Sequence, residues 1–427
     1  MKPKEFIEKI QAGELDEQLK KLYGNSKEAL DRQRARYIEA TEEFAKLFPQ
    51  HEEIHIYSAP GRTEVGGNHT DHQHGCVFAG AVNLDVIAVV AFHNEGIIRL
   101  KSSGYPQDNV ELSDLSVHSD ETGKSASIIR GIASKFTEMG AEIGGFDAYT
   151  TSDVLSGSGL SSSASFEVLV GTIIDKHYNA GKAGAVEIAK IGQYAENVYF
   201  GKGSGLMDQM VSSVGGFVFI DFEDTADPVI KAHSFDFEKA GYKLCITDTK
   251  GSHSDLTDDY VSVPTEMKSV AKQFGKEYLR AVDENEFYEK LPQLRENCTD
   301  RALMRASHFF SENKRAMYEA QALEKGDINE FLALVNRSGD SSANLLQNLY
   351  SCKNPQQQAI PLAIMLSKRV LAESGAVRVH GGGFAGTIQA FVPVEKAEEY
   401  STAMNSLFGE GSCHILRIRP VGGIEIA

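Results

Sequence analysis

Cysteine is scarce in this chain and follows no pattern. The five residues, Cys76, Cys245, Cys298, Cys352 and Cys413, are odd in number, scattered, and never in a C-x-x-C spacing. That argues against a disulfide framework and against a structural zinc site. Positive charge is also short: 43 Lys and Arg stand against 60 Asp and Glu, a formal net charge of −17. Such a surface repels phosphate backbones and anionic lipid, so neither nucleic acid nor a membrane is an expected partner. A local cationic pocket for a small anionic molecule remains open. No uninterrupted apolar run is long enough to span a bilayer, and the N-terminus, MKPKEFIEKIQAGELDEQ, lacks an apolar h-region. A cytoplasmic protein with reduced thiols is expected.

What is present is an ordinary globular mixture, 41% hydrophobic and 24% charged over 427 residues. It suffices for a sizeable core and two or three domains, and it excludes a wholly disordered chain. Leu30, Tyr37, Phe44 and Leu47 form one apolar stripe in a helical N-terminal stretch that Pro49 ends. Ile54 and Ile56 open a strand, VIAVVAF (86–92) reads as a buried strand, and 146–152 as another. Helices are expected over 125–139, 161–178, 184–199 and 204–213, with a strand at 216–222. After residue 225 the strand YKLCITDT precedes long helical stretches from 262 to 375, then VRVHGGGFAGTIQAFVP and a closing helix and strand. Strands and helices intermix without a regular βαβ period, which predicts an α+β fold in two lobes. The polar stretch FEDTADP (222–228) sets the expected division at 1–225 and 226–427, with a helical extension over 1–48.

Two motifs mislead. HEEIH (51–55) has the spacing of a zinc site, but that site needs a helix, and here the segment follows Pro49 and enters a strand. Gly123-Lys124-Ser125 ends like a Walker A loop, yet His118 stands where its first glycine belongs.

Three glycine-rich segments carry the chemistry. SGSGLSSSASFEVLVG (156–171) runs straight into an apolar helical pattern, so its free N–H groups and helix dipole make an anion site. SAPGRTEVGGNHTDHQHG (58–75) packs an arginine, histidines and an aspartate among glycines, a density that packing alone does not require. HGGGFAGT (380–387) places three glycines in a row, which close approach of another group would justify.

In this order the three segments resemble those of the GHMP kinases, and APGRTEVGGNHTDHQHG resembles the signature of the galactokinase branch. YAENVYFGKGSGLMDQM (194–210) is similar to the stretch that bears the catalytic aspartate, and SHSDLTDDY (252–260) to a sugar-contacting segment. The resemblance implies a two-lobed GHMP kinase fold with the site in the cleft, and an ATP-dependent kinase acting on the anomeric hydroxyl of galactose with magnesium. It implies that Asp208 is the carboxylate near the sugar 1-hydroxyl and that Arg62 beside it stabilises the transferring group. Asn68, His69 and Asp71 would meet the sugar hydroxyls, and Tyr260 would line the pocket. Gly157, Ser158, Gly159, Leu160, Ser161, Ser162 and Ser163 would cradle the ATP phosphates, while Ser163 and Glu196 would hold magnesium. These types suit phosphoryl transfer, which needs positioning and charge neutralisation more than covalent help.

One departure bears on the substrate. The family's glutamate before His-Thr-Asp is Asn68 here, and Asp71-His-Gln resembles the galacturonokinase wording. An uncharged Asn68 facing C6 predicts galactose with tolerance for galacturonate. A kinase for galacturonate or another galactose-configured sugar, and a non-catalytic regulator that senses sugar and ATP, are the alternative readings.

Overall fold

Residues 76–93 hold only two polar side chains between Val77 and Phe92, Asn83 and Asp85, and they form a single long strand, Cys76–His93. The structure, a computed structural model, describes residues 1–154, 159–251 and 256–427. The long strand is the spine of an eight-stranded sheet. It pairs along its length with His55–Gly66 on one side and with Gly145–Ser152 and Phe217–Asp221 on the other. Ile97–Ser102 joins Gly145–Ser152 in parallel, Gln107–Glu111 lies outside it, and Ile424–Glu425 returns to pair with His55–Gly66. Tyr242–Asp248, Thr387–Pro393, Ala376–Val379 and Cys413–Leu416 make a second, four-stranded antiparallel sheet.

The division at 225/226 does not mark a change of sheet. Val229–His233 pairs with Phe217–Asp221, so residues 222–228 are a hairpin connection within the first sheet, whose successor begins at Tyr242. Polarity alone could not distinguish an exposed hairpin from a linker.

The apolar run 86–92 is covered on both faces, as its lack of alternation requires. Val86, Ala88 and Val90 face the main core, while Ile87, Val89 and Ala91 face the N-terminal helices. Those helices are three, Pro3–Ala12, Asp16–Tyr23 and Lys27–Leu47, broken where Gly13 and Gly24 take positive φ. Leu30, Tyr37 and Phe44 are buried as the stripe predicts, but Leu47, at the helix end, is 42% exposed. The extension is tied to the sheet through fully buried Asp85. Its carboxylate accepts from Arg36 at 2.6 Å, Arg419 at 2.8 Å, and the Tyr23 and Ser58 hydroxyls at 2.5 Å.

The helix Asp300–Glu324, capped by Thr299, packs under the first two strands and carries His308 and Glu312 to the loop that follows Gly66. Glu312 Oε1 accepts from the Gly67 N–H at 3.1 Å, and the His308 ring meets the Asn68 carbonyl at 3.0 Å.

Candidate active site

Arg62 lies on the first strand, not in a loop. A β-bulge between Pro60 and Arg62 turns it out of register, the usual way such a bulge re-aims a side chain. The Arg62 N–H donates to the Leu160 carbonyl at 3.0 Å, and a Cβ on Gly61 would sit 2.8 Å from that same oxygen. Glycine at 61 thus allows the strand to touch the segment that carries Leu160.

Three elements meet here. Arg62 Nε donates to Asp208 Oδ1 at 2.7 Å, its Nη1 donates to the Gly159 carbonyl, and Ser161 Oγ donates to Asp208 Oδ2. Asp208 sits in the first turn of Met207–Val214, where a negative charge is favoured. Burial pushes its carboxyl up, but Arg62 and Ser161 outweigh that and hold it below the usual carboxylate range. Asp208 is therefore a carboxylate at neutral pH.

Ser161 holds a left-handed backbone, φ 61, just before Ser162–Tyr178. Its hydroxyl goes to Asp208 instead of capping the helix, so the first-turn amides stay open to an anion. Ser162 is half-buried and Ser163 exposed, Leu160 is fully buried, and Gly157 and Ser158 lie outside the described residues.

Glu196 lies in the turn Ala195–Phe200 and is buried. It accepts from Lys202 Nζ at 2.8 Å, from Ser204, and from Gln209 Nε2 at 3.0 Å. Gln209 also donates to Glu167 Oε2 at 2.8 Å, and Glu167 Oε1 is buried without a partner among the described residues. Glu167 stands one turn beyond Ser163; burial first and Glu196 next push its carboxyl well up. The oxygens around Glu196 are of the type that suits magnesium, and in this structure the cation paired with Glu196 is the Lys202 ammonium, on a side chain 60% exposed.

On the other side of the cavity, Gly67 and His69 take positive φ and reverse the chain after the strand, with Thr70 N–H closing the turn onto the Gly67 carbonyl at 3.0 Å. His69 Nε2 lies 3.0 Å from the Gly382 carbonyl, which can only accept; Nε2 carries the proton and Nδ1 is left as an acceptor. Burial chiefly, then His72, bring the His69 pKa down to about 4, so the ring is neutral. Arg62, Glu64, His69, Asp71, Lys202 and Asp208 surround a cavity of about 270 Å³.

The HGGG segment serves this loop. The carbonyls of Gly381, Gly382 and Gly383 accept from Asn68 Nδ2 at 2.8 Å, His69 Nε2 at 3.0 Å and Tyr260 Oη at 2.9 Å. A Cβ on Gly382 would lie 2.6 Å from Tyr260 Cε1. Two expectations change. Tyr260 stands behind Gly382 rather than among the described residues lining the cavity. Asn68 borders the cavity, but its amide is spent on protein: Nδ2 also donates to Glu64 Oε1 at 2.9 Å, and Oδ1 accepts from Asn348 at 2.8 Å and Ser342 at 3.2 Å. Glu64 and Lys202 were not anticipated. Glu64 shares the strand face of Arg62 at a spacing of two, and Lys202 is flanked by Gly201 and Gly203, the signals in the sequence that could have pointed to them.

Residues 42–92 match the galactokinase galactose-binding signature, and residues 127–216 match the GHMP kinase N-terminal domain. The galactokinase of Mannheimia succiniciproducens is 31% identical over 363 residues, spanning 83% of this chain and 89% of that protein. The chain belongs to the galactokinase family. It is accordingly an ATP-dependent sugar kinase with the α+β GHMP fold. The structure of Lactococcus lactis galactokinase complexed with galactose superposes with a TM-score of 0.75 at 22% identity, covering 90% of this chain and 98% of that one. Methanococcus jannaschii mevalonate kinase gives 0.61 at 18% identity, covering 85% and 98%. Among the described residues no helix is long and apolar enough to cross a membrane.

Proposed function

We propose that this protein transfers the γ-phosphoryl group of ATP to the anomeric 1-hydroxyl of galactose, giving galactose 1-phosphate and ADP. The observation that carries this reading is the meeting of Arg62, Ser161 and Asp208 between the phosphate loop and the sugar cavity. Asp208 accepts a hydrogen bond from the 1-hydroxyl and aims its oxygen at the phosphorus. With its pKa held low, Asp208 is a weak base. It takes the proton only once the forming O–P bond has made the hydroxyl acidic, which suits a loose transition state. Arg62, fixed by Asp208 and the Gly159 carbonyl, offsets charge on the transferring group with a cation that does not titrate. The open amides at the start of Ser162–Tyr178 receive the phosphates. Ser163 and Glu196 would hold magnesium, which when bound neutralises phosphate charge. His69 Nδ1 and Asp71 accept from sugar hydroxyls.

The test is ADP release by purified protein with galactose, galacturonate, N-acetylgalactosamine, arabinose and glucose. Galactose should turn over fastest, and NMR of the product should show the phosphate on C1. Absence of turnover with galactose would refute the reading.

A further inference from the structure

The carboxylate that the family resemblance expects at position 68 is found at position 64. Between Arg62 and Glu64 the strand pairing is regular, with Arg62 opposite Ala81, Thr63 opposite Gly80 and Glu64 opposite Ala79. Arg62 and Glu64 therefore point to the same face, ~7 Å apart along the strand. Arg62 holds Asp208, and Glu64, two residues further along the strand, lines the same cavity.

The Glu64 carboxylate is fixed on one side and open on the other. Oε1 accepts from Asn68 Nδ2 at 2.9 Å and from the fully buried Arg378 at 2.9 Å. Oε2 has no hydrogen-bond partner among the described residues, and unlike the two oxygens of Glu319 it is not sealed from the cavity. The amide of Asn68 cannot serve a ligand as well, because Gly381, Ser342 and Asn348 take up its remaining capacity. Ser342 and Asn348 lie more than 270 residues further along the chain, so the groups that hold Asn68 come from a segment remote in sequence. Asn68 is thus a bracket that aims Glu64.

We infer that Glu64 is the specificity-determining residue for the sugar, with Oε2 accepting a hydrogen bond from a hydroxyl remote from C1, on C4 or C6, and that Asn68 positions it. This rests on the galactose 1-kinase reading. A carboxylate accepts only and repels a second carboxylate, so a neutral hexose is selected and a uronic acid is rejected. The tolerance for galacturonate expected from Asn68 is thereby reversed.

The experiment compares kcat/KM for galactose, 4-deoxygalactose, 6-deoxygalactose and galacturonate in the wild-type protein and in Glu64→Gln. The wild type should prefer galactose to galacturonate at least 100-fold, an outcome that needs no variant. One of the two deoxy sugars should be penalised tenfold or more in the wild type and lose most of that penalty in Glu64→Gln, mainly through KM. The preference over galacturonate should narrow at least tenfold in the variant. Wild-type turnover of galacturonate within tenfold of galactose would overturn the inference while leaving the kinase intact. So would deoxy-sugar penalties that agree within twofold in the two proteins. A wild type inactive on galactose would instead remove the functional reading on which the inference stands.

Discussion

Arg62 Nε and Asp208 Oδ1 are 2.7 Å apart, and the pair spans the gap between the first strand and the start of Met207–Val214. The contact does two things at once. It keeps Asp208 ionised although its side chain is largely buried, and it leaves Arg62 oriented toward the Gly159 carbonyl. Asp208→Asn preserves the shape: its one oxygen can still accept from Arg62, its NH₂ can donate to a turned Ser161 hydroxyl, and it cannot take a proton. We expect galactose and ATP binding to stay within a few fold and kcat to fall by about 10²–10⁴, the range for loss of a positioned base. Isothermal titration beside steady-state kinetics checks this; more than half of the wild-type kcat with chemistry rate-limiting would remove Asp208 from that role.

Glu196 and Ser163 should reveal themselves through metal dependence. Glu196→Gln removes the charge that now holds Lys202, and Ser163→Ala removes an exposed hydroxyl one turn from Glu167. Both variants should need more magnesium for half-maximal activity, with excess magnesium partly restoring at least one. Binding of manganese in the presence of ATP, followed by electron paramagnetic resonance, should weaken in parallel. Unchanged metal titrations in both would take these residues out of the metal site.

How far the sequence discloses this site depends on whether a residue's role is local. Arg62, Ser161 and Asp208 are named through the resemblance that contiguous motifs carry, since such motifs are short-range signals, and the structure brings the three together. The exchange of roles between Glu64 and Asn68 was not visible. It depends on Arg378, Ser342 and Asn348, more than 270 residues away in the chain, consuming particular hydrogen bonds. The place of the segment 222–228 is hidden from the sequence for a similar reason: only the pairing of Val229–His233 shows to which sheet its flanking strands belong. Burial of both faces of 86–92, by contrast, follows from its unbroken apolar run.

Gly382 is where a single methyl group should disturb sugar binding without touching the phosphates. A Cβ there meets Tyr260 Cε1 at 2.6 Å, and the Gly382 carbonyl is the partner of His69. Gly382→Ala should raise the galactose KM tenfold or more and leave the KM for ATP within twofold. Adding Tyr260→Ala should recover part of the loss by making room. If the single variant binds galactose normally, the HGGG segment does not hold the sugar loop in the way described.

The N-terminal extension should contribute strongly to stability through Asp85. Asp85→Asn leaves the Arg36 and Arg419 guanidiniums, 10% and 0% exposed, facing an amide. Uncompensated buried charge of this kind costs roughly 3–5 kcal/mol. Asp340→Asn is the control: its partnership with Lys368 is more than half exposed on both sides, and its loss should change stability by less than about 0.5 kcal/mol. Urea unfolding midpoints compare the two. Equal small shifts would mean that the Asp85 cluster is not what fastens the extension to the sheet.

The lowered pKa of His69 gives a stability slope of defined sign. In the folded protein the ring titrates at about 4, held down first by burial and then by His72, whereas the unfolded chain titrates near 6.5. Between these values the unfolded state binds the extra proton, so stability is fully present above about pH 6.5 and is lost as pH falls toward 4. His308, buried behind the same loop and also lowered chiefly by burial, acts in the same direction. His69→Gln removes the titrating ring. The stability advantage of wild type over this variant, measured by urea unfolding, should therefore shrink steadily from pH 7 to pH 4.5. Galactose affinity should behave differently, because Nδ1 remains an unprotonated acceptor until the pH approaches about 4. Titrations from pH 8 to pH 5.5 should give a nearly constant Kd. A loss of affinity centred near pH 6.5 in the wild type and absent from His69→Gln would show that the imidazole titrates as an exposed histidine does, and that it is not seated against Gly382 as found here.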